Sequence, residues 1–362
     1  MKRQLQQRDL TIVVNPGSTT TKLAVYRGAE CLALETLDHK KEELAGFARV
    51  ADQFAFRRDA VLRFLAANRV DLRRCAVVAG RGGLTKPIAG GVYRINARML
   101  RDLQSARWGE HPSSLGAPIA HDIAKRCGAP AFIVDSVSVD EFWPLARYAG
   151  HPAFVRKSRF HALSQRAAAR CAARELGTRY EKLNLIVVHM GGGITIGAHR
   201  KGRVVDVNDA LDGDGPFSPE RSGSLPTGPL ASYCFSGKNS HEEVKKMLVG
   251  CGGIFAYLGT NDCREVERRI RGGDAKAREV YEAMAYQISK WVGASAAVLS
   301  GRVKAVVITG GMSKSRLLVG MIRKYAGFVA PFLVYPEMEE MWALASSAQA
   351  AAAGKIKPRE YR

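Results

Sequence analysis

Asn15-Pro16-Gly17-Ser18-Thr19-Thr20-Thr21-Lys22 gathers in one short run the groups that a phosphate asks of a protein. Gly17 lets the backbone come close to a ligand, the hydroxyls and amide N–H groups can bond phosphate oxygens, and Lys22 can supply positive charge. The same residues would also make an ordinary polar hairpin turn with Lys22 in solvent. The Walker spacing G-x-x-x-x-G-K-[ST] is absent, so this is not that loop. His189-Met190-Gly191-Gly192-Gly193 is a second such turn. Successive glycines cost backbone entropy, and a close approach of backbone to ligand would explain them. Thr309-Gly310-Gly311 invites the same reading. Three turns of this kind point to a phosphate cradle rather than to unrelated bends.

The elements that must position these turns form an internal repeat. Residues 12–28, IVVNPGSTTTKLAVYRG, and 186–202, IVVHMGGGITIGAHRKG, each give an apolar strand, a polar residue, a glycine turn, a second strand and a closing glycine. The offset is constant, pairing Asn15 with His189, Gly17 with Gly191 and Gly28 with Gly202. Runs of Val, Ile and Thr on both sides of the glycines read as β-hairpins. Later in each half another apolar strand runs into paired glycines, AVVAGRGG at 76–83 and AVVITGG at 305–311. Helical spacing covers residues 161–176, 261–271, 274–300 and the alanine-rich stretch from Met341 to Gly354. Strands interleaved with helices predict an α/β chain of two similar domains. No low-complexity linker separates them. The boundary is expected near Gly150-His151-Pro152, giving domains at 1–150 and 151–340, with the terminal segment, about 341–362, packing back on the first.

Composition agrees with this size and narrows the class. At 362 residues and 46% hydrophobic content the chain suffices for two cores. No stretch reaches the roughly 18 uncharged apolar residues that span a bilayer, and the charged start MKRQLQQRDL has no apolar run, so no membrane or secretory role is expected. The seven cysteines are widely spaced and never form C-x-x-C, which suits reduced thiols in a cytoplasm. The formal charge of +21 is compatible with nucleic acid, an anionic substrate or a basic solvated surface. Its basic residues come as scattered pairs such as Lys40-Lys41 and Arg268-Arg269, mixed with acids, so no nucleic-acid partner is expected.

The ordered segments NPGSTTTK, GRGGL, FHALSQ, VVHMGGGI, GPFSPERSG, YLGTND and TGGM span nearly the whole chain, and this set resembles the butyrate kinase branch of the acetate kinase family. The resemblance implies two duplicated actin-like (ribonuclease H-like) domains with a nucleotide cleft between them. It implies ATP-dependent phosphorylation of a short-chain carboxylic acid to its acyl phosphate, with ATP/ADP and Mg2+ as cofactors and a homo-oligomer as the expected assembly. Residue by residue, Asn15, Gly17, Ser18, Thr20 and Lys22 match the first phosphate turn, Gly191, Gly192 and Gly193 its counterpart, and Gly310 and Gly311 the second phosphate turn. Asn261, Asp262 and Arg264 match the adenosine side. Asp135 and one of Glu339 and Glu340 match the carboxylates near magnesium. Arg221, His161 and His189 match active-site cations and hydrogen-bond donors, and Arg81 falls near the position of another arginine. Ala210 stands near a proline that narrows the acyl pocket of acetate kinases, with Phe160 on another wall, so propionate, butyrate, isobutyrate and valerate are expected to overlap as substrates.

Taken singly, these residues have structural alternatives. Asp135 could cap a strand-end turn, Asn261 and Asp262 could cap the following helix, and Glu339-Glu340 could open the terminal one. His161 and His189 could be core histidines and Arg221 an interdomain ion-pair partner. There are departures too: Ser136 follows Asp135 where proline is usual, Ser164 stands where asparagine is common, and Glu337 replaces a glycine after Tyr335-Pro336. The last leaves the register of Glu339 against Glu340 open. Acetate kinases carry asparagine where Gly192 stands, so backbone contacts to phosphate are expected there. The rival readings are an acetate or propionate kinase, a non-catalytic nucleotide-binding homologue and a basic nucleic-acid binder.

Overall fold

A computed structural model of the protein describes residues 8–210, 213–336 and 340–362. Its first strand, β1 (Leu10–Pro16), is apolar and β-branched and is buried along its whole length, as a central strand covered on both faces must be. Among the described residues eleven further strands follow. These are β2 (Thr20–Arg27), β3 (Glu30–Asp38), β4 (Cys75–Arg81), β5 (Val92–Arg94), β6 (Ala131–Val134), β7 (Asn184–Met190), β8 (Ile194–Arg200), β9 (Arg203–Val207), β10 (Ala305–Thr309), β11 (Phe332–Tyr335) and β12 (Arg359–Glu360). The described residues divide into two compact units, one of those within 1–139 and 339–362, the other of those within 140–338.

In the first unit the sheet order is β12-β5-β6-β4-β1-β2-β3. β1, β2 and β3 are antiparallel neighbours, whereas β4 runs parallel to β1 and β6 parallel to β4. β3, mostly exposed, ends the sheet with charged residues that discourage pairing with another chain. Because side chains alternate along a strand, β1 feeds two layers. Leu10, Ile12 and Val14 join Val61, Phe64 and Leu65 of the helix Phe54–Ala67 and Ile119 and Ile123 of the helix Gly116–Cys127. On the opposite face Thr11 Oγ1 accepts from Gln349 Nε2 at 3.0 Å, and Tyr26, its cross-strand neighbour, lies 5.5 Å from Trp342. Both partners belong to the terminal helix Glu340–Ala352.

The second unit repeats the plan with the order β11-β10-β7-β8-β9. β7, β8 and β9 are antiparallel neighbours, while β10 is parallel to β7 and β11 to β10. One spacing separates Leu10 from Asn184 and Thr20 from Ile194, so the repeat read in the sequence is the repeat of the hairpins. Ile186 and Val188 face Val280, Met284 and Ile288 of the long helix Ala275–Val298. Leu185 and Val187 face Ala168, Ala169 and Ala172 of the helix Ala162–Glu175, whose alanines permit close approach. The units part at Val139/Asp140, ahead of the Gly150-His151-Pro152 boundary expected above. Two bonds explain this: buried Glu141 accepts from Val204 N–H at 2.9 Å and from Arg166 Nη1 at 3.0 Å, tying the segment after Asp140 to β9. No helix among the described residues is long and apolar enough to cross a membrane.

Candidate active site

In the second unit β7 carries the chain into the Gly191–Gly193 turn, and Arg221 is seated on it. A Cβ at Gly193 would lie 2.5 Å from Arg221 Nη1, so only glycine leaves room for the guanidinium. Ser218 ties the two segments together, accepting from Arg221 N–H at 3.2 Å and donating to the Gly192 carbonyl at 2.6 Å. Arg221 Nη1 donates to the Ala210 carbonyl at 2.5 Å, which brings the expected acyl-pocket residue next to the expected catalytic cation. The Arg221 Nε–H is buried without a hydrogen-bond partner among the described residues. Burial lowers the pKa of this guanidinium, with the charges of Glu220 and Asp209 opposing the shift. A buried arginine with an N–H to spare is suited to an anionic ligand.

His161 and His189 stack, their rings 4.0 Å apart and inclined by 18°. Thr195 Oγ1, 3.0 Å from His161 Nδ1, sets the ring's orientation. Behind it Gln165 Nε2 donates to Thr195 Oγ1 at 2.8 Å and to the Thr195 carbonyl at 3.1 Å. Gln165 Oε1 therefore accepts from His199 Nε2–H at 2.9 Å, and His199 Nδ1 accepts from the Tyr180 hydroxyl at 2.7 Å. Burial, helped by Arg166 and Arg170, holds the His199 pKa well below its ordinary value, so the ring stays neutral. Phe160, the other expected pocket wall, is buried beside His161.

Six of the remaining candidates of this unit share one pocket of about 780 Å³, a size ordinary for a small-molecule site. Gly191, Gly192, Asn261, Asp262, Arg264 and Gly311 all line it. Asp262 is also the N-cap of the helix Cys263–Arg271, accepting Arg264 N–H at 2.9 Å and pairing with the Arg264 guanidinium. Asn261 Nδ2 donates to Glu220 Oε2 at 3.3 Å. Gly310 has φ of +92°, and a Cβ there would meet the Met190 carbonyl at 2.3 Å. At Gly193 and Gly310, then, the protein's own packing already leaves room only for glycine. Gly311 is different, since a Cβ there would meet nothing within 4 Å.

In the first unit three distant residues converge. Arg81, ending β4, pairs with Glu340, the first residue of the terminal helix, at 2.5 Å. Asn15 Nδ2 donates to the same Glu340 oxygen at 3.3 Å, and Asn15 Oδ1 lies 3.5 Å from Arg81 Nη1. Glu339 lies outside the described residues. Asp135, just beyond β6, is buried with φ of +40°, a backbone state uncommon for a residue with a side chain. Two bonds with Gly91 hold it there, the Asp135 N–H donating to the Gly91 carbonyl at 3.0 Å and Oδ1 accepting Gly91 N–H at 2.8 Å. In the hairpin turn, Ser18 is exposed, Gly17 and Thr20 are half-buried, and Lys22 is exposed opposite Asn15. The sequence reading passed over Thr195, Gln165, Ser218 and His111. His111 accepts from Ser113 N–H at 3.2 Å, and its pKa is lowered by burial and then by the nearby charge of Arg81. No spacing signal marks these residues; they are functional candidates only because folding brings them to others.

The oxygen donors of Asp135 and Glu340 suit magnesium, a hard cation that commonly takes one or two carboxylates together with phosphate and water oxygens.

The Acetokinase family model matches residues 141–323. Over 350 residues, 97% of this chain and 99% of the other, the sequence is 47% identical to a probable butyrate kinase of Listeria monocytogenes. It is 45% identical over 351 residues, with the same coverage, to butyrate kinase 2 of Clostridium acetobutylicum. The crystal structure of Porphyromonas gingivalis acetate kinase superposes with a TM-score of 0.79 at 18% identity, covering 94% of this chain and 99% of that one. A propionate kinase from Francisella tularensis gives 0.75 at 17% identity with the same coverage. The structural likeness establishes the actin-like fold of two α/β domains, and the family match with near-full-length identity of 45–47% establishes descent: the chain belongs to the acetokinase family.

Proposed function

We propose that this protein transfers the γ-phosphoryl group of ATP to a short-chain carboxylate, reversibly, giving an acyl phosphate and ADP. The observation that carries this reading is the seat of Arg221, a buried guanidinium on the glycine turn with an N–H to spare and the Ala210 carbonyl on its other side. The acceptor, with a pKa of roughly 4 to 5, is already ionised at neutral pH, so no general base is needed. What must be overcome is repulsion between a carboxylate and a polyanion. Arg221 supplies a fork that engages carboxylate or phosphoryl oxygens in pairs, and the stacked His161 and His189 supply further hydrogen bonds. Gly191, Gly192 and Gly311 serve the phosphates, and Asn261, Asp262 and Arg264 the adenosine, in the pocket they share. Asp135 and Glu340 would hold magnesium, which offsets phosphate charge when bound. Arg81 keeps Glu340 in place.

Butyrate and its branched neighbours are the acids proposed, because Ala210 is small where a larger residue would shorten the acyl pocket. The cytoplasm is the compartment proposed, for the seven cysteines without C-x-x-C suit reducing surroundings.

Trapping of acyl phosphate with hydroxylamine, across acids from acetate to valerate, tests the reading. Turnover should peak beyond acetate, and no product with any acid would overturn the proposal. Arg221→Ala should lower turnover at least about a hundredfold, the scale of a lost transition-state donor. A loss below about tenfold, or 1.4 kcal/mol, would remove Arg221 from the transition state.

A further inference from the structure

Arg57 is a fully buried guanidinium that meets no carboxylate among the described residues. It stands in the helix Phe54–Ala67 with 0% exposure. Nη1 donates to the Gly17 carbonyl at 2.8 Å, the Thr20 carbonyl at 2.9 Å and Thr21 Oγ1 at 3.2 Å. Nη2 donates to the Ser18 carbonyl at 2.9 Å, and Nε to Gln53 Oε1 at 3.0 Å. Every acceptor is neutral. Burying an ion without a counter-charge is costly, and arginine so placed ordinarily brings an acid with it. Burial does depress its pKa, to about 10, which still leaves the group protonated at neutral pH.

Its contacts have a geometric result at the first glycine turn. The Thr19 carbonyl accepts from His39 N–H at 2.8 Å, so all four carbonyls from Gly17 to Thr20 face protein donors. The Gly17 N–H closes the turn on the Thr20 carbonyl at 2.8 Å. The N–H groups of Ser18 and Thr19 have no acceptor among the described residues, and both residues are exposed. Thr21 Oγ1 accepts from Arg57 and lies 2.8 Å from His39 Nε2. Burial and then the Arg57 charge lower the His39 pKa against the opposing charges of Glu43 and Asp38, so the guanidinium is the one cation lodged under the turn among the described residues. Outward amides backed by an uncompensated cation make an anion site.

We infer that Arg57 is a positioning residue for the nucleotide phosphates: it turns the Gly17–Thr20 carbonyls inward so that the Ser18 and Thr19 amides face the phosphate, and its charge is balanced by the phosphate. This rests on the kinase reading above for the identity of the anion. A merely structural arginine would not need to be left without an acid.

Gln53→Glu separates the two roles. It places a carboxylate where Gln53 Oε1 already receives the Arg57 Nε–H, keeps every contact to the turn, and cancels the charge beneath it. Calorimetric titration of the whole chain with MgATP, inorganic tripolyphosphate and adenosine, alongside thermal unfolding, reads the outcome. The variant should melt at or above the wild-type temperature, bind MgATP and tripolyphosphate at least about fivefold more weakly, and bind adenosine within about twofold of wild type. Arg57→Lys, which keeps the charge but loses the fork, should also weaken MgATP binding without affecting adenosine. Unchanged MgATP affinity in Gln53→Glu, or equal losses for MgATP and adenosine, would overturn the inference. Wild-type binding of tripolyphosphate but not of MgATP would sink the kinase reading and leave the Arg57 site standing. Binding of neither would sink both.

Discussion

At the scale of single residues, the most informative are those whose conformation or burial costs something. Asp135 holds a left-handed backbone at an expense of about 1 to 3 kcal/mol, and its two bonds with Gly91 help to keep it there. Asparagine tolerates the same conformation and can accept the same N–H. Asp135→Asn should therefore melt within a few degrees of wild type while turnover with saturating Mg2+ falls at least about a hundredfold. Comparable turnover would show that the strain serves the fold alone. His199 gives a pH dependence. Its folded pKa is depressed by burial, so below about 6.5 the unfolded chain binds a proton that the native chain refuses. The native state thus loses up to about 1.4 kcal/mol per pH unit as pH falls below that value. In His199→Asn the denaturant midpoint should start lower at pH 7.5 but decline less steeply toward pH 5; parallel slopes would exclude His199 as the group responsible.

Among elements, the turns decide what the residues can do. The Gly191–Gly193 turn was expected to be small for a ligand's sake throughout, and the structure divides that work. Gly193 yields to Arg221, whereas Gly311 faces open space in the pocket that Gly191 and Gly192 share. Gly193→Ala should push the guanidinium aside and lower kcat by about tenfold or more, with KM for ATP little changed. Gly311→Ala should leave stability intact and raise KM for ATP with kcat little changed. Steady-state kinetics of the pair checks the division, and the reverse pattern would refute it. The helices Thr227–Cys234 and His241–Leu248 bury no residue and run for only 8 residues each, too short for periodicity to mark them in the sequence.

For the whole molecule, the terminal segment belongs to the first unit's core although it follows the second unit in sequence. Tyr361 is 2% exposed, its hydroxyl donates to Asp102 at 2.8 Å, and β12 pairs with β5 beside it. Tyr361→Ala should cost about 3 kcal/mol in urea unfolding, the scale of a lost buried aromatic. A cost within 0.5 kcal/mol, the usual ~0.5 kcal/mol of a surface change, would show the segment to be an appendage. What the sequence by itself determined were the locally encoded features: the duplicated hairpins, whose Val, Ile and Thr runs and glycines specify strand and turn within a few residues, and the α/β class. The motif order carried the family and with it the expected chemistry. Tertiary structure alone decided the partnerships made across long separations. Asn15, Arg81 and Glu340 meet, Arg221 lies on Gly193, and Gln165 passes hydrogen bonds from His199 to Thr195. It also showed Arg57, which in sequence is one basic residue in the run Arg57-Arg58, to be a buried charge facing a turn's carbonyls. The physical reason is that periodicity and turn chemistry act between near neighbours, while burial, pairing and the absence of a counter-ion exist only once the chain has closed on itself.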